Sequence, residues 1–213
     1  TIGDYAFPTM QIRGKLVIPG NIRSIGANAF MSCRGITALD FSTCENLKFI
    51  GENAFNTLNR LDSLTINNCN GLAIGARAFA DCPKMTKVEI SGVGNTYGEG
   101  AFQNCKILES VKLSGMQLGD NALATNPALT KINLDVENIG SNILKNANEA
   151  SVPYESPISI VLGDNVKNIG SSAFYNITMV KNVKFGLGLE KIGDFAFSGC
   201  DSLVSIIFPT TEQ

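Results

Sequence analysis

The stretch SIGANAFMSC at residues 24–33 sets Ile25-Gly26 ahead of Ala29-Phe30, with Cys33 three residues further on. FIGENAF at 49–55, AIGARAF at 73–79 and KIGDFAF at 191–197 repeat it almost letter for letter. A pattern that recurs in this way belongs to the architecture, so its period is the first quantity to establish. The motif glycines are Gly3, Gly26, Gly51, Gly75, Gly98, Gly119, Gly140, Gly170 and Gly193, separated by 23, 25, 24, 23, 21, 21, 30 and 23 residues. Nine copies cover essentially the whole chain of 213 residues.

Counted from each motif phenylalanine, apolar residues fall at offsets 6, 9 and 11. Ile36, Leu39 and Phe41 do so in one copy, Leu61, Leu64 and Ile66 in the next, and Met85, Val88 and Ile90 in the one after. Residues at offsets 9 and 11 flank a polar one, the period of a short strand with one buried face. Within IGxxAF the Ile, Ala and Phe stand at i, i+4 and i+5, which places them on one side of a helical turn. The residue after the glycine is acidic in Asp4, Glu52, Glu99, Asp120 and Asp194, a choice suited to the first turn of a short helix. The glycine supplies either a backbone angle or a close approach that a Cβ forbids.

One strand and one short turn cannot close a core alone, but stacked copies can. Each coil lays its strand beside the next at about 4.8 Å, so nine coils extend on the order of 40 Å. Connections between successive parallel strands are expected to be right-handed.

LDSLTINNCNGL at residues 61–72 reads Leu61, Leu64, Ile66, Cys69 and Leu72 in the LxxLxLxxN/CxL spacing, and Ile36, Leu39, Phe41, Cys44 and Leu47 repeat it. With the added IGxxAFxxC segment and prolines after the strand at Pro19 and Pro209, the chain resembles the BspA-like, or Treponema-type, class of bacterial leucine-rich repeats. The resemblance implies an α/β-type leucine-rich repeat solenoid of about nine right-handed coils, with short helical turns opposite the strands. It also implies an exported or surface-located protein that adheres to other proteins or cells. Departures cluster between Leu118 and Leu144, where Ala122-Leu123 and Ile143-Leu144 replace Ala-Phe and the period shortens to 21.

Cys33, Cys82, Cys105 and Cys200 share one slot of the repeat with Leu58, Ile177 and Met10, the signature of a small-to-medium apolar position. Cys44 and Cys69 occupy equivalent sites in adjacent coils, so a disulfide is geometrically conceivable there, and the cysteines do not fix the compartment. Without histidine and without a CxxC pair, no metal or other cofactor is expected.

The chain is 44% hydrophobic and 17% charged, a globular composition. Its longest apolar runs fall well short of the 18 residues a bilayer span needs, so no membrane insertion is expected. A net charge of −2 with scattered lysines offers no phosphate-neutralising stripe, which sets nucleic acid aside as a partner. Absence of histidine removes Ser-His and Cys-His nucleophile pairs. Asp40 and Glu89 stand two coils apart, about 10 Å by strand spacing, slightly beyond the separation of an inverting glycosidase pair.

The outward strand positions at offset 10 include Asp40, Thr65, Glu89, Lys112, Asn133 and Lys184, and these are the candidate partner-binding row. The copy of 30 residues carries an insertion within 145–159 that bears Pro153, Tyr154 and Pro157, and Tyr154 is a further candidate contact. Residues 1–213 are expected to form one solenoid domain. It is expected to be a section of a longer array, since a finished stack needs polar caps. The function expected is non-enzymatic protein interaction or adhesion toward a protein or cell-surface ligand. A structural spacer and a glycan-acting enzyme are the alternatives.

Overall fold

The computed structural model describes residues 1–67, 69–145 and 157–209. Most of the insertion, Tyr154 included, lies outside the described residues. Fifteen strands are present among them, all paired in parallel, and they form two ladders on different sides of the coil, the first of them interrupted after its second strand, so that its first two strands make a separate two-stranded sheet.

The first ladder holds the strands expected from the alternating offsets: β1 (Gly14–Val17), β3 (Ile36–Asp40), β5 (Ser63–Ile66), β7 (Lys87–Ile90), β9 (Ser110–Leu118), β10 (Lys131–Ile139), β11 (Ile158–Leu162), β13 (Val180–Lys184) and β15 (Ser205–Ile207). The second was not anticipated. The Ile-Gly dipeptides open into two-residue strands β2 (Ser24–Ile25), β4 (Phe49–Ile50), β6 (Ala73–Ile74), β8 (Thr96–Tyr97), β12 (Asn168–Ile169) and β14 (Lys191–Ile192). In the two copies of shortened period, β9 and β10 run unbroken from one ladder into the other. Nine motif glycines enclose eight intervals, so the chain completes eight turns between Gly3 and Gly193 where nine coils were expected.

The short helical turns expected in IGxxAF are absent among the described residues. Asn53 and Thr57 lie in the left-handed region, at φ 52° and 59°, as do Asn28 and Ser32 one coil earlier. A left-handed residue at every fourth position stops a right-handed helix from propagating. The backbone N–H groups divide their work instead. Ala54 and Asn56 donate within the coil to the carbonyls of Gly51 and Asn53, whereas Asn53, Phe55 and Thr57 donate across to Ala76, Ala78 and Ala80 of the next coil at 2.8–3.0 Å. Every alternate N–H thus ties one turn to its neighbour. The acidic residues serve the same end, because Asp4 and Asp120 accept from the N–H of Ala27 and Ser141 one coil on, at 2.7 and 2.8 Å.

The motif glycines answer a demand for close approach. A Cβ on Gly51 would lie 2.4 Å from the Ala27 nitrogen and 2.5 Å from the Gly26 carbonyl carbon. Inside the coil, Phe7, Phe30, Phe55, Phe79 and Phe102 stack with ring centroids 5.2–5.9 Å apart. Phe174 and Phe197 continue the stack beyond the copies where leucine replaces phenylalanine.

All six cysteines are buried free thiols. Cys33, Cys105 and Cys200 donate through Sγ to the carbonyls of Phe7, Phe79 and Phe174 in the preceding coil, at 2.9, 3.5 and 3.2 Å. Cys44 and Cys69 likewise reach Ile18 and Cys44 carbonyls, at 3.2 and 3.0 Å. Burial raises the thiol pKa values of Cys33, Cys44, Cys69, Cys105 and Cys200, that of Cys44 to about 11, so these five stay protonated donors at neutral pH. Asn126 fills the same slot as Cys105 one coil later and reaches the Phe102 carbonyl with its amide at 3.0 Å. The position takes a compact buried side chain, apolar in Leu58 and Ile177, and where it is Cys or Asn that side chain also donates to a carbonyl of the preceding coil.

Candidate functional site

The outward row emerges from strand register. Thr65, Glu89, Lys112, Asn133, Val161 and Lys184 face one another in consecutive parallel pairs across β5, β7, β9, β10, β11 and β13. Beside them runs a second row, Ser63, Lys87, Ser110, Lys131 and Ser159. Asp40 stands apart from this row. It sits on β3, which pairs with β1 in a separate two-stranded sheet, and its register partner there is Val17. Its carboxylate is engaged locally, with the Lys15 ammonium at 2.6 Å and the Ser42 N–H at 2.9 Å.

The charges on the row are organised in pairs. Glu89 bridges Lys87 at 2.8 Å and Lys112 at 3.2 Å, one oxygen to each. The two ammonium groups, Lys87 foremost, hold its carboxyl below the ordinary value of 4.5. Lys15 does the same for Asp40, so both carboxylates depart in the direction opposite to that of a general acid. For a depressed carboxyl the favourable interaction is complete above the unfolded value and is lost as pH falls through the folded one. We expect Lys87→Ala to move the NMR titration midpoint of Glu89 up toward 4.5; a midpoint unchanged from wild type would show that the ion pair does not form in solution.

These side chains line a shallow depression of about 350 Å³ over β7, β9, β10 and β11, with Lys87, Glu89, Lys112, Lys131 and Asn133 at its wall. A second hollow of about 550 Å³ shares Lys112, Asn133 and Val161 with it and extends to Asp135, Asp164 and Asn165. A third, of about 520 Å³, continues from those residues around the corner to Gly92, Met116 and Lys167. The candidate site is therefore a furrow that begins on the strand face and turns over the edge.

The corner has a cause in the repeat length. Where the period is 21, no connector separates the two ladders, and the straight β9 and β10 leave a gap between the longer connectors at 91–95 and 163–167. The far wall is well tied: Asp135 accepts from the backbone and side chain of Asn165 at 3.0 and 2.7 Å, and Glu137 pairs with Lys167 at 3.2 Å. On the near wall the Gly92 N–H donates to the Ser114 hydroxyl at 3.1 Å. Sequence reasoning missed Ser114, Asp135, Asp164, Asn165 and Lys167, although the two intervals of 21 were the signal that a connector had been deleted beside the row.

Among the described residues no group of three or more His, Cys, Asp or Glu side chains is gathered as a metal site, and no helix is long and apolar enough to cross a membrane.

Comparisons with known proteins agree with this architecture. Residues 1–115, 40–151 and 153–213 match the family described as a BspA type leucine-rich repeat region of six copies. Among solved structures, the pneumococcal vaccine antigen PcpA is similar at 22% identity and a TM-score of 0.51, over 91% of this chain and 50% of that one. A leucine-rich repeat protein from Bacteroides ovatus ATCC 8483 shares 20% identity with a TM-score of 0.50, over 98% and 64%. A leucine rich cell surface protein from Faecalibacterium prausnitzii A2-165 shares 17% identity with a TM-score of 0.49, over 94% and 60%. The chain thus spans between half and about two thirds of the length of these structures. A search among curated protein sequences finds no match. Matched along nearly its whole length, the chain belongs to the BspA-type leucine-rich repeat family.

Proposed function

We propose that this chain is a non-enzymatic protein-interaction or adhesion module of an exported or surface-located bacterial protein, and that its partner docks in the furrow running from Glu89 and Lys112 through Asn133 to Asp135. The observation that carries the reading is the continuity of that furrow: three hollows share lining residues across one strand face and one corner, on a frame of parallel ladders. Rows of outward side chains on stacked repeats give extended surfaces suited to recognising other proteins. Here the charged side chains are held in place by Lys87–Glu89–Lys112 before a partner arrives, which lowers the ordering cost of binding. Membership of the BspA-type leucine-rich repeat family supports the same reading. Asp40, Thr65, Lys184 and Tyr154 are proposed as outlying contacts, Asp40 from its own small sheet.

The test is binding of the labelled domain to a panel of extracellular matrix proteins, mucins and cells, beside a variant carrying Lys112→Ala and Asn133→Ala. Both side chains are outward-facing, so the variant should melt with the wild type and lose saturable binding by about tenfold or more, as truncation or reversal at an interface centre does. Absence of binding by the folded wild-type domain would transfer the weight to the structural-spacer reading.

A further inference from the structure

A second surface lies away from the furrow, at the entry to β1, β3 and β5. Arg13, Arg34 and Arg60, three of the chain's five arginines, line a hollow of about 380 Å³ together with Gln11, Gly35 and Asn59. They come from three successive coils, so their backbones are stacked at roughly one strand spacing, about 4.8 Å per step. All three are exposed. None of them makes an ion pair or a side-chain hydrogen bond among the described residues, and the lining contains no carboxylate.

Like charges brought together in neighbouring coils repel, and among the described residues no ion pair compensates them. The local geometry nonetheless favours the arrangement. A Cβ on Gly35 would lie 2.3 Å from the Ile12 carbonyl oxygen and 3.2 Å from Arg13 Cγ, so the missing side chain is what allows the Arg13 stem to lie across the next coil. In a chain of net charge −2, this is a local reversal of sign.

The chemistry of the lining selects among anions. Guanidinium forks pair with carboxylates through two parallel N–H donors, a geometry a lysine cannot supply. Gln11 and Asn59 add amide groups that accept as well as donate, which suits the N–H and C=O of a peptide main chain. No aromatic side chain lines the hollow to stack on a sugar ring. We propose that this arginine groove binds a carboxylate-rich peptide segment of a protein partner, with acidic side chains seated on the guanidinium groups. The inference is independent of the furrow, which uses other residues on another part of the coil.

The experiment is fluorescence anisotropy of a labelled hexaglutamate peptide with the wild-type chain, an Arg34→Gln/Arg60→Gln variant and the Lys112→Ala/Asn133→Ala variant of the furrow. We expect saturable binding that weakens as salt rises. The arginine variant should lose about tenfold or more in affinity while melting with the wild type, and the furrow variant should bind the peptide as the wild type does. Absence of saturable binding at low salt, or equal affinity in the arginine variant, would overturn the proposal. So would saturable binding of dextran sulfate with none of hexaglutamate, which would assign the groove to a sulfated polysaccharide.

Discussion

Phe55→Ala is expected to destabilise the domain by about 3 to 5 kcal/mol, the cost of deleting a fully buried aromatic side chain. Phe55 has no exposed surface. Its ring stacks on Phe30 at 5.3 Å and Phe79 at 5.2 Å, and meets the edge of Phe41 at 6.1 Å. Relaxation into the vacated volume is obstructed on both sides, because the Phe55 N–H is held by the Ala78 carbonyl of the next coil while the neighbouring Ala54 and Asn56 carbonyls accept from Phe30 and Ser32 of the preceding one. A cavity that cannot collapse sits at the costly end of the range. Lys112→Ala, on the outward row, should shift stability by no more than about 0.5 kcal/mol. Urea unfolding of the two variants decides the matter; equal losses would show that the phenylalanine column is not the core.

Gly51→Ala should cost about 3 kcal/mol, the upper end of what overpacking produces. The intruding methyl meets main-chain atoms of Gly26 and Ala27, which cannot swing aside as a flexible side chain would. Gly3 supplies the control from the same motif position, since a Cβ there meets nothing within 4 Å. Gly3→Ala is expected to stay within about 0.5 kcal/mol of wild type. Thermal melts that fell equally for both would contradict the close coil contact.

Period and burial were legible in the sequence because apolar spacing encodes them directly. The offsets that named Leu64, Ile66, Val88 and Ile90 name residues the structure buries, and the row from Thr65 to Lys184 follows once the strands are aligned. Conformation inside IGxxAF was not legible. Ile50, Ala54 and Phe55 are buried as a helical face would be, yet the left-handed non-glycine residues between copies are Asn, Thr, Ser, Asp, Arg, Tyr and Phe, types that announce no single geometry. Asp40 shared the spacing of its row but not its hydrogen bonding, which depends on how neighbouring coils meet and not on offset alone. The arginine groove escaped for a related reason: Arg13, Arg34 and Arg60 lie six, four and five residues after Phe7, Phe30 and Phe55, so no single register gathers them.

The backbone bonds that run from each turn to the next carry a consequence for how such a gene can change. A duplicated or deleted segment of one whole period leaves a glycine against a glycine, a ring against a ring and a thiol or amide beneath a carbonyl, so the array can grow or shrink by recombination without new compensating substitutions. Loss of a single residue inside a strand or the IGxxAF segment has no such tolerance, because it displaces one turn's alternate N–H groups from their acceptors or sends the outward row inward; the spread of periods from 23 to 25 falls in the connectors between strand and glycine. Variation in copy number is therefore the cheap change for this architecture, and a frame-preserving slip within a copy is the costly one.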